Sequence, residues 1–196
     1  MPEYAAEEAS GYEAAAQQFI RLREASAIGA GIIRHWATLL PAQAEVLDLG
    51  CGAGVPVAST LAAAGFRLYG IDASAQLLQT YRLRLPHAIV ACETVQDSAF
   101  FARNFDAVVA IGLIFLLPAE QQTQLIDKVA ARLTHAGRFL FTAPEQSCNW
   151  TDVLTGQASV SLGAARYSRL GSDAGLQLVA EYQDEGQNHY YDWIRM

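Results

Sequence analysis

The sequence predicts an α/β fold built on a doubly wound, mostly parallel seven-stranded sheet with helices on both faces. Between residues 45 and 142, short apolar runs of β type alternate with helical segments, a pattern typical of parallel strands joined by helices. Near the C-terminus, two further β-type runs are separated by only the six residues QDEGQN. Such a short connection joins antiparallel strands, so the sheet is expected to end in an antiparallel hairpin.

The predicted elements follow one another in a regular order. The five β-type runs of the parallel part are EVLDLG, RLYGID, AIVAC, DAVVAIG and RFLFTA, and the two runs of the hairpin are LQLVAEY and HYYDWI. The helices that accompany them are predicted at residues 55–64, 74–84, 119–135 and 163–174. Two more helices, separated by a break near residues 26–31, are expected before Pro41.

The composition favours one compact domain that acts on small molecules. The chain has 196 residues, 52% of them hydrophobic, and its 13 basic and 20 acidic residues give a formal net charge of −7. An acidic chain without a run of lysine or arginine argues against a nucleic-acid partner. The most apolar window, residues 107–117, is about half as long as a membrane-spanning helix, so no membrane partner is expected. The sequence leaves the oligomeric state open.

The cysteines indicate a reducing compartment. Cys51, Cys92 and Cys148 have no CxxC spacing, and their odd number argues against a disulfide framework. The N-terminus is acidic and lacks the layout of a secretory signal, so a cytoplasmic protein is predicted. No His, Asp and Glu residues stand at metal-ligand spacing, and no metal site is predicted.

A glycine loop follows the first β-type run. Residues 46–54 read VLDLGCGAG, a buried strand that runs into a loop where glycines let a ligand approach the backbone closely. The dinucleotide fingerprint GxGxxG fails in either register, because Val55 or Val57 stands where the third glycine is required. No Gly-Lys-Ser/Thr sequence follows, so the loop is not a Walker phosphate loop either. What remains is the pattern DxGxGxG, which begins at Asp48.

A second carboxylate, Asp72, ends the next β-type run in the sequence GIDAS. An acidic residue at this place accepts hydrogen bonds from ribose hydroxyls in nucleotide-binding folds. Together, residues 46–54 and 70–74 resemble the first two motifs of the class I S-adenosylmethionine-dependent methyltransferases. The resemblance extends over residues 41–196 and implies a Rossmann-like methyltransferase fold with S-adenosyl-L-methionine as cofactor. The N-terminal helices resemble the lid of small-molecule methyltransferases, so residues 1–40 are expected to form a lid on a core of residues 41–196.

The resemblance assigns cofactor contacts position by position. The residues that it places against the cofactor are Asp48, Gly50, Gly52, Gly54, Asp72, Ala73, Glu93, Thr94 and Ile111. The glycines would line the methionine part, Asp48 would meet its amine directly or through water, and Asp72 would hold the ribose. Glu93 would lie on the adenine side, and Ile111 would pass under the sulfonium. Arg23, in the N-terminal helices, is expected to bind the cofactor carboxylate, because a guanidinium pairs with a carboxylate in bidentate fashion.

The methyl acceptor is expected beyond the carboxyl ends of the parallel strands, where connecting segments leave the sheet. The long polar stretch 143–161 brings Trp150 to this edge as a cover for the acceptor. The C-terminal hairpin brings His189 and Tyr191, which strand alternation places on one face, with Tyr190 on the other. His189 and Tyr191 are predicted as acid/base residues, and aromatic packing within the hairpin is the alternative for both.

These observations predict an enzyme that transfers a methyl group from S-adenosylmethionine to a small molecule by in-line displacement. The alternative is a non-catalytic module that senses S-adenosylmethionine or its demethylated product. A nicotinamide oxidoreductase is a third interpretation, which the failed dinucleotide fingerprint disfavours. The acceptor and the atom methylated stay open, because enzymes of this fold act on many classes of molecule.

Overall fold

The computed structural model describes the backbone of residues 2–196 and the side chains of residues 12–196. Its six α-helices are α1 (Pro2–Glu24), α2 (Ala30–Ala37), α3 (Val57–Ala63), α4 (Ala75–Arg84), α5 (Ala119–Arg132) and α6 (Ala164–Asp173). Its nine strands are β1 (Glu45–Leu49), β2 (Arg67–Asp72), β3 (Ile89–Cys92), β4 (Phe105–Ala110), β5 (Leu133–Thr142), β6 (Cys148–Thr151), β7 (Ala158–Ser161), β8 (Leu176–Gln183) and β9 (His189–Arg195).

Seven strands form the main sheet, in the order β3-β2-β1-β4-β5-β9-β8. Every pair among β1 to β5 is parallel, whereas β9 runs antiparallel to both β5 and β8. The predicted fold class is therefore confirmed, including the C-terminal hairpin. The strand order reverses direction between β1 and β4, which is the point in a doubly wound sheet where a crevice opens beyond the carboxyl ends of the strands.

Alternate side chains of the central strands enter two apolar clusters, one on each face of the sheet. Leu47 and Phe139 pack in the cluster that contains the buried residues of α5 and α6. Val46 and Leu140, their neighbours in sequence, pack in the cluster formed with α2, α3 and α4. Because both faces are covered, β1 and β4 are almost continuously apolar, which is what made them recognisable as buried parallel strands.

Two details differ from the sequence-based expectation. Helix α5 ends at Arg132, three residues before the predicted end, because Leu133 already pairs with Phe105 in the sheet. The polar stretch 143–161 is not a plain loop: β6 and β7 form a separate antiparallel hairpin within it. Among the residues that the structure describes, no helix combines the length and the apolar character that crossing a bilayer requires.

Candidate active site

A cavity of about 270 Å³ lies at the carboxyl edge of the parallel strands. Its size is close to the lower end of the range of about 300 to 1,000 Å³ that is typical of ligand pockets. The glycine loop and the ends of β2, β3, β4 and β5 form its floor, α1 covers it, and the β6–β7 and β8–β9 hairpins contribute one side. The cavity therefore occupies the place where a doubly wound sheet binds its ligand.

The glycine loop presents bare backbone to this cavity. Gly50 and Gly52 both line it, and their φ angles of +65° and +52° lie in the left-handed region that favours glycine. A Cβ atom on Gly50 would lie 3.1 Å from Cδ1 of Leu113, and one on Gly52 would lie 3.1 Å from Cε1 of Phe19. Any side chain at these positions would narrow the space between the loop and the residues that face it.

Asp72 links the loop to the start of α4. One carboxylate oxygen accepts a hydrogen bond from the Gly52 amide at 2.8 Å, and the other accepts one from the Ser74 amide at 2.9 Å. Burial raises the pKa of Asp72, while the two amide hydrogen bonds oppose the shift. The carboxylate lines the cavity with lone pairs left on both oxygens, so it can accept further hydrogen bonds from a ligand.

Helix α1 lies across the cavity mouth. Tyr12, Phe19 and Arg23 line the cavity, and their spacing of seven and four residues places them on one face of the helix. The rings of Tyr12 and Phe19 meet edge to face, with centroids 5.6 Å apart. Burial and the nearby charges of Asp152 and Asp72 raise the pKa of Tyr12, which keeps its hydroxyl protonated. This helical spacing is the signal that could have identified Tyr12 and Phe19 from the sequence.

Two acidic side chains fasten α1 to α4. The Glu13 carboxylate accepts hydrogen bonds from the Ser74 hydroxyl and from the Gln76 amide at the beginning of α4. Glu24, the last residue of α1, pairs with Arg84 at the end of α4. Because the contacts at Glu13 and Glu24 bind it to the two ends of α4, the second half of α1 is held against α4, over the glycine loop.

Eight of the ten residues expected around the cofactor line the cavity: Arg23, Gly50, Gly52, Asp72, Ala73, Glu93, Thr94 and Ile111. Gly54 does not reach it; a Cβ there would lie 3.1 Å from the Tyr81 ring, so this glycine serves the packing of α4. Glu93 is held by the Ser98 hydroxyl, which donates to it at 2.6 Å.

Asp48 lies beneath the glycine loop instead of in the cavity wall. It is only 2% exposed, and its Oδ2 atom has no hydrogen-bond partner among the described residues. Burial, together with the charge of Asp72, raises the pKa of Asp48 to about 8, and Arg23 opposes the shift. An unpartnered buried carboxylate favours the approach of a cation or a hydrogen-bond donor.

The β6–β7 hairpin brings Asp152 to the cavity. Its Oδ1 atom accepts three hydrogen bonds, from the Leu154 amide at 3.1 Å and from the amide and the hydroxyl of Thr155, both at 2.7 Å. Its Oδ2 atom accepts none from the residues that the structure describes. The turn thus fixes the orientation of Asp152 and leaves one carboxylate oxygen for a ligand in the cavity.

Trp150 is not among the described residues that line the cavity. Its ring packs against Phe115, with centroids 5.2 Å apart, and it is Phe115 that faces the cavity. The expectation that Trp150 covers the acceptor directly is therefore corrected. Trp150 stands on the strand β6, two residues before Asp152, and supports the apolar wall from behind.

The β9 strand presents Tyr190 to the cavity, and not His189 and Tyr191. Tyr191 is buried among aromatic rings on the opposite face of the sheet, where it stacks on Phe141 at 4.9 Å. His189 contacts Glu181 at 3.0 Å on the neighbouring strand β8. Alternation correctly separated the two sets, but the set chosen for acid/base chemistry is the one that faces away.

Tyr190 is hydrogen-bonded to Asp184, its partner at the tip of the β8–β9 hairpin. The Tyr190 hydroxyl donates to Asp184 Oδ2 at 2.8 Å, and burial raises the pKa of Tyr190, so the proton stays on the hydroxyl. Asp184 also accepts hydrogen bonds from the Gly186 amide and from Asn188. Asp184 and Asn188 line the cavity beside Tyr190.

The comparisons with known proteins agree with this arrangement. Residues 46–137 match the family described as a methyltransferase domain. The ubiquinone biosynthesis O-methyltransferase of Xanthomonas axonopodis pv. citri (strain 306) is 27% identical over 164 residues, which is 81% of this chain and 60% of that protein. The chain thus spans about 60% of the length of this curated relative.

Solved structures share the whole fold at low sequence identity. The Burkholderia thailandensis 1,6-didemethyltoxoflavin-N1-methyltransferase, solved with 1,6-didemethyltoxoflavin and S-adenosylhomocysteine, is 16% identical with a TM-score of 0.78 and covers 99% of this chain and 89% of its own. The magnesium protoporphyrin IX methyltransferase of Synechocystis PCC 6803, solved with S-adenosylmethionine, is 17% identical with a TM-score of 0.70. The match covers 92% of this chain and 84% of that protein. Residues 46–137 thus match a methyltransferase domain, and the chain as a whole shares the fold of these methyltransferases.

Proposed function

We propose that this protein transfers the methyl group of S-adenosylmethionine to a small molecule by in-line displacement. The observation that carries the proposal is the cavity, which has the glycine loop and Asp72 on one side and residues of two C-terminal hairpins on the other. One side suits a cofactor, and the other leaves room for an acceptor. The names of the relatives support a small acceptor, since they refer to ubiquinone biosynthesis, to a toxoflavin precursor and to magnesium protoporphyrin IX.

The residues present fit the cofactor. The backbone of Gly50 and Gly52 forms a cradle that a Cβ would fill, which suits the close approach of the methionine part. Asp72 has lone pairs for the two ribose hydroxyls, and Glu93 lies further along the sheet edge toward the expected adenine side. Arg23 supplies the one guanidinium among the described lining residues, which suits the cofactor carboxylate.

Asp48 fits the cofactor ammonium through a water molecule more readily than by direct contact. The carboxylate is buried below the loop, and its unpartnered Oδ2 would gain from a donor that reaches it from the cavity side. A cation nearby would also favour the charged form of the carboxyl, against the burial that raises its pKa.

Bound S-adenosylmethionine supplies a methyl group on a positively charged sulfur: a lone pair of the acceptor bonds to the methyl carbon, the carbon–sulfur bond breaks with its electron pair going to sulfur, and the acceptor releases its proton. The chain provides alignment and excludes water. Tyr12 and Phe19 of α1 close the cavity from solvent, and Phe115 bounds it with an apolar wall. Alignment of this kind lowers a barrier by as much as about 7 to 11 kcal/mol.

Asp152 is the best-placed proton acceptor. It is an acidic side chain of the acceptor side with a carboxylate oxygen that accepts no hydrogen bond from the described residues, and its turn fixes the direction of that oxygen. None of the four histidines lies among the described residues that line the cavity. We therefore place the proton transfer on Asp152, with water as the final carrier.

The N-terminal helices would act as a lid over a core formed by residues 41–196. The contacts of α1 with the cavity and with α4 support this division. We also propose a cytoplasmic enzyme without a nucleic-acid partner; the three free cysteines suit a reducing compartment. The related proteins reported above are named as methyltransferases, so nothing favours the alternative of a sensor without chemistry.

Calorimetric titration with S-adenosylmethionine and S-adenosylhomocysteine tests the cofactor site. Saturable binding of both is expected, and Asp72→Ala is expected to weaken it by about tenfold or more, because a carboxylate that holds two hydroxyls is lost. Asp127→Ala, at an exposed position of α5, is the matched control. Absence of binding to the folded protein, or equal binding by the Asp72 variant, would refute the assignment.

A further inference from the structure

The charges in the cavity are unbalanced. Of its lining residues that the structure describes, Arg23 is the cation, whereas four are carboxylates: Asp72, Glu93, Asp152 and Asp184. In the proposed function Arg23 meets the carboxylate of the cofactor, and Asp72 and Glu93 lie on its ribose and adenine side. The charge of Arg23 also reaches Tyr190, but one guanidinium that pairs with the cofactor carboxylate leaves Asp152 and Asp184 as an excess of negative charge toward the acceptor. An anionic group placed there would be repelled and would lose its hydration.

Tyr190 is a hydrogen-bond acceptor toward the cavity. A tyrosine hydroxyl has one proton, and that of Tyr190 goes to Asp184 at 2.8 Å. The proton is retained because burial and the neighbouring carboxylate disfavour its loss. Only lone pairs of the Tyr190 oxygen are left for a molecule in the cavity, so that molecule has to supply the proton of any hydrogen bond.

Asp152, on the β6–β7 hairpin, also offers only a hydrogen-bond acceptor to the cavity. Its Oδ1 is occupied by three donors of its own turn, and its Oδ2 accepts nothing from the part of the chain that the structure describes. Tyr190 and Asp152 come from β9 and from the end of the β6–β7 hairpin's first strand, both beyond residue 137, where the family match ends. Both residues thus lie in the part of the chain that the family match does not cover.

We infer that the acceptor side of the cavity selects a neutral or cationic molecule that presents O–H or N–H groups, and disfavours one that carries a carboxylate or a phosphate. The inference rests on the proposed methyl transfer, because that proposal assigns the other side of the cavity to the cofactor. The wall of Leu116 and Phe115, with Trp150 behind it, adds a preference for an apolar, flat body that carries these groups.

A charge series on one ring tests this selection. The probes are catechol, 3,4-dihydroxybenzylamine, 3,4-dihydroxybenzoate and the dimethyl ether of catechol, each titrated calorimetrically into the protein saturated with S-adenosylhomocysteine. The neutral and cationic diols are expected to bind at least about tenfold more tightly than the benzoate, and than the ether, which has no proton to donate. Equal or tighter binding of the benzoate or the ether, or no binding of either diol, would overturn the inference.

Two variants test whether Asp152 and Tyr190 cause the selectivity. Asp152→Asn keeps an oxygen for the three donors of its turn and replaces the unpartnered oxygen by an amide, so the preference for the amine over the benzoate should shrink by about tenfold. Tyr190→Phe should weaken catechol binding by about three- to tenfold. Tyr182→Phe is the control, because it also loses one hydrogen bond to a carboxylate, Asp192, but away from the cavity.

The titration with S-adenosylhomocysteine itself distinguishes failure of the proposed methyl transfer from failure of the inferred acceptor class. If it fails for the folded protein, the proposed methyl transfer and this inference fall together. If S-adenosylhomocysteine binds but the unaltered protein shows no preference against the anion, or Asp152→Asn leaves that preference unchanged, the cofactor assignment survives and only the acceptor class is overturned.

Discussion

At the scale of single residues, the site combines two carboxylates with opposite surroundings. Asp72 accepts two backbone hydrogen bonds and faces the cavity, whereas Asp48 is buried below the loop with an oxygen that has no partner among the described residues. Burial raises the pKa of both carboxyls, and it raises that of Asp48 to about 8. The charged form of Asp48 therefore destabilises the folded protein, and in the proposed function the cofactor ammonium would offset this cost.

This cost gives a pH-dependent prediction for Asp48→Asn. Below the usual aspartate pKa of about 3.9, both the folded and the unfolded chain are protonated at this carboxyl, and the residue has no linkage effect. As the pH rises toward about 8, the unfolded chain loses the proton that the folded chain retains, so the free energy of unfolding falls. In the asparagine variant, which has no proton to lose at this position, the free energy of unfolding does not fall for this reason. Its thermal midpoint, relative to wild type, should therefore rise between these limits.

The expected gain is about 3 to 5 °C for each pH unit between these limits, because one unit corresponds to about 1.4 kcal/mol and about 1 kcal/mol shifts the midpoint by roughly 2 to 4 °C in a chain of this size. Calorimetric melting curves at several pH values, without cofactor, measure it. A difference between variant and wild type that is independent of pH would contradict the raised pKa of Asp48.

At the scale of elements, α1 is the lid in the proposed function, and its attachment to α4 can be weakened without touching the cavity lining. Hydrogen bonding to the Ser74 hydroxyl lowers the pKa of Glu13, so the attachment is fully present above the usual glutamate pKa and is lost as the pH falls through the lowered value. Glu13→Ala removes the attachment at every pH.

We expect faster amide exchange in residues 12–24 of the Glu13 variant and S-adenosylhomocysteine binding weaker by about three- to tenfold, because the helix must be ordered again when the ligand binds. Hydrogen exchange and calorimetry provide the two readouts. Glu120→Ala, in the first turn of α5 and away from the cavity, should change neither. Unchanged exchange in α1 would mean that Glu13 does not hold it.

The elements also show what the sequence could and could not predict. The seven strands of the main sheet have apolar runs or a short connecting turn, so their types and order were predictable. The β6–β7 hairpin was missed because each of its strands has four residues, and the buried members of β7 are the serines Ser159 and Ser161. Hydrophobic patterning has nothing to detect in such a strand.

The choice between the two faces of β9 lay beyond the sequence for a different reason. Alternation separates Tyr190 from its neighbours but does not say on which side of the sheet the cavity opens. That side is set by where α1, α2 and the hairpin tip meet: Gly29 approaches Tyr190 so closely that a Cβ there would lie 2.3 Å from the tyrosine hydroxyl oxygen. A contact between residues 161 positions apart cannot be predicted from the local pattern of polar and apolar residues.

At the scale of the whole molecule, the cavity is assembled from distant parts of the chain. Arg23 of α1, the glycine loop, the end of β2 and the tips of two hairpins reach it together, and the unfolded chain has no comparable arrangement. A ligand bound there adds to the free energy of unfolding of the entire domain. A ligand concentration of about 100 times its Kd stabilises the folded state by roughly 2.7 kcal/mol.

We therefore expect S-adenosylhomocysteine at that excess to raise the thermal midpoint by about 5 to 10 °C, and each further tenfold increase to add about 1.4 kcal/mol. NAD at the same concentration should leave the midpoint unchanged, because Val55 and Val57 replace the third glycine of a pyrophosphate loop. Melting curves over a range of ligand concentrations measure both effects. A shift with NAD equal to that with S-adenosylhomocysteine would show that the cavity recognises the nucleoside alone, and the methionine side assigned to Gly50, Gly52 and Arg23 would then have to be abandoned.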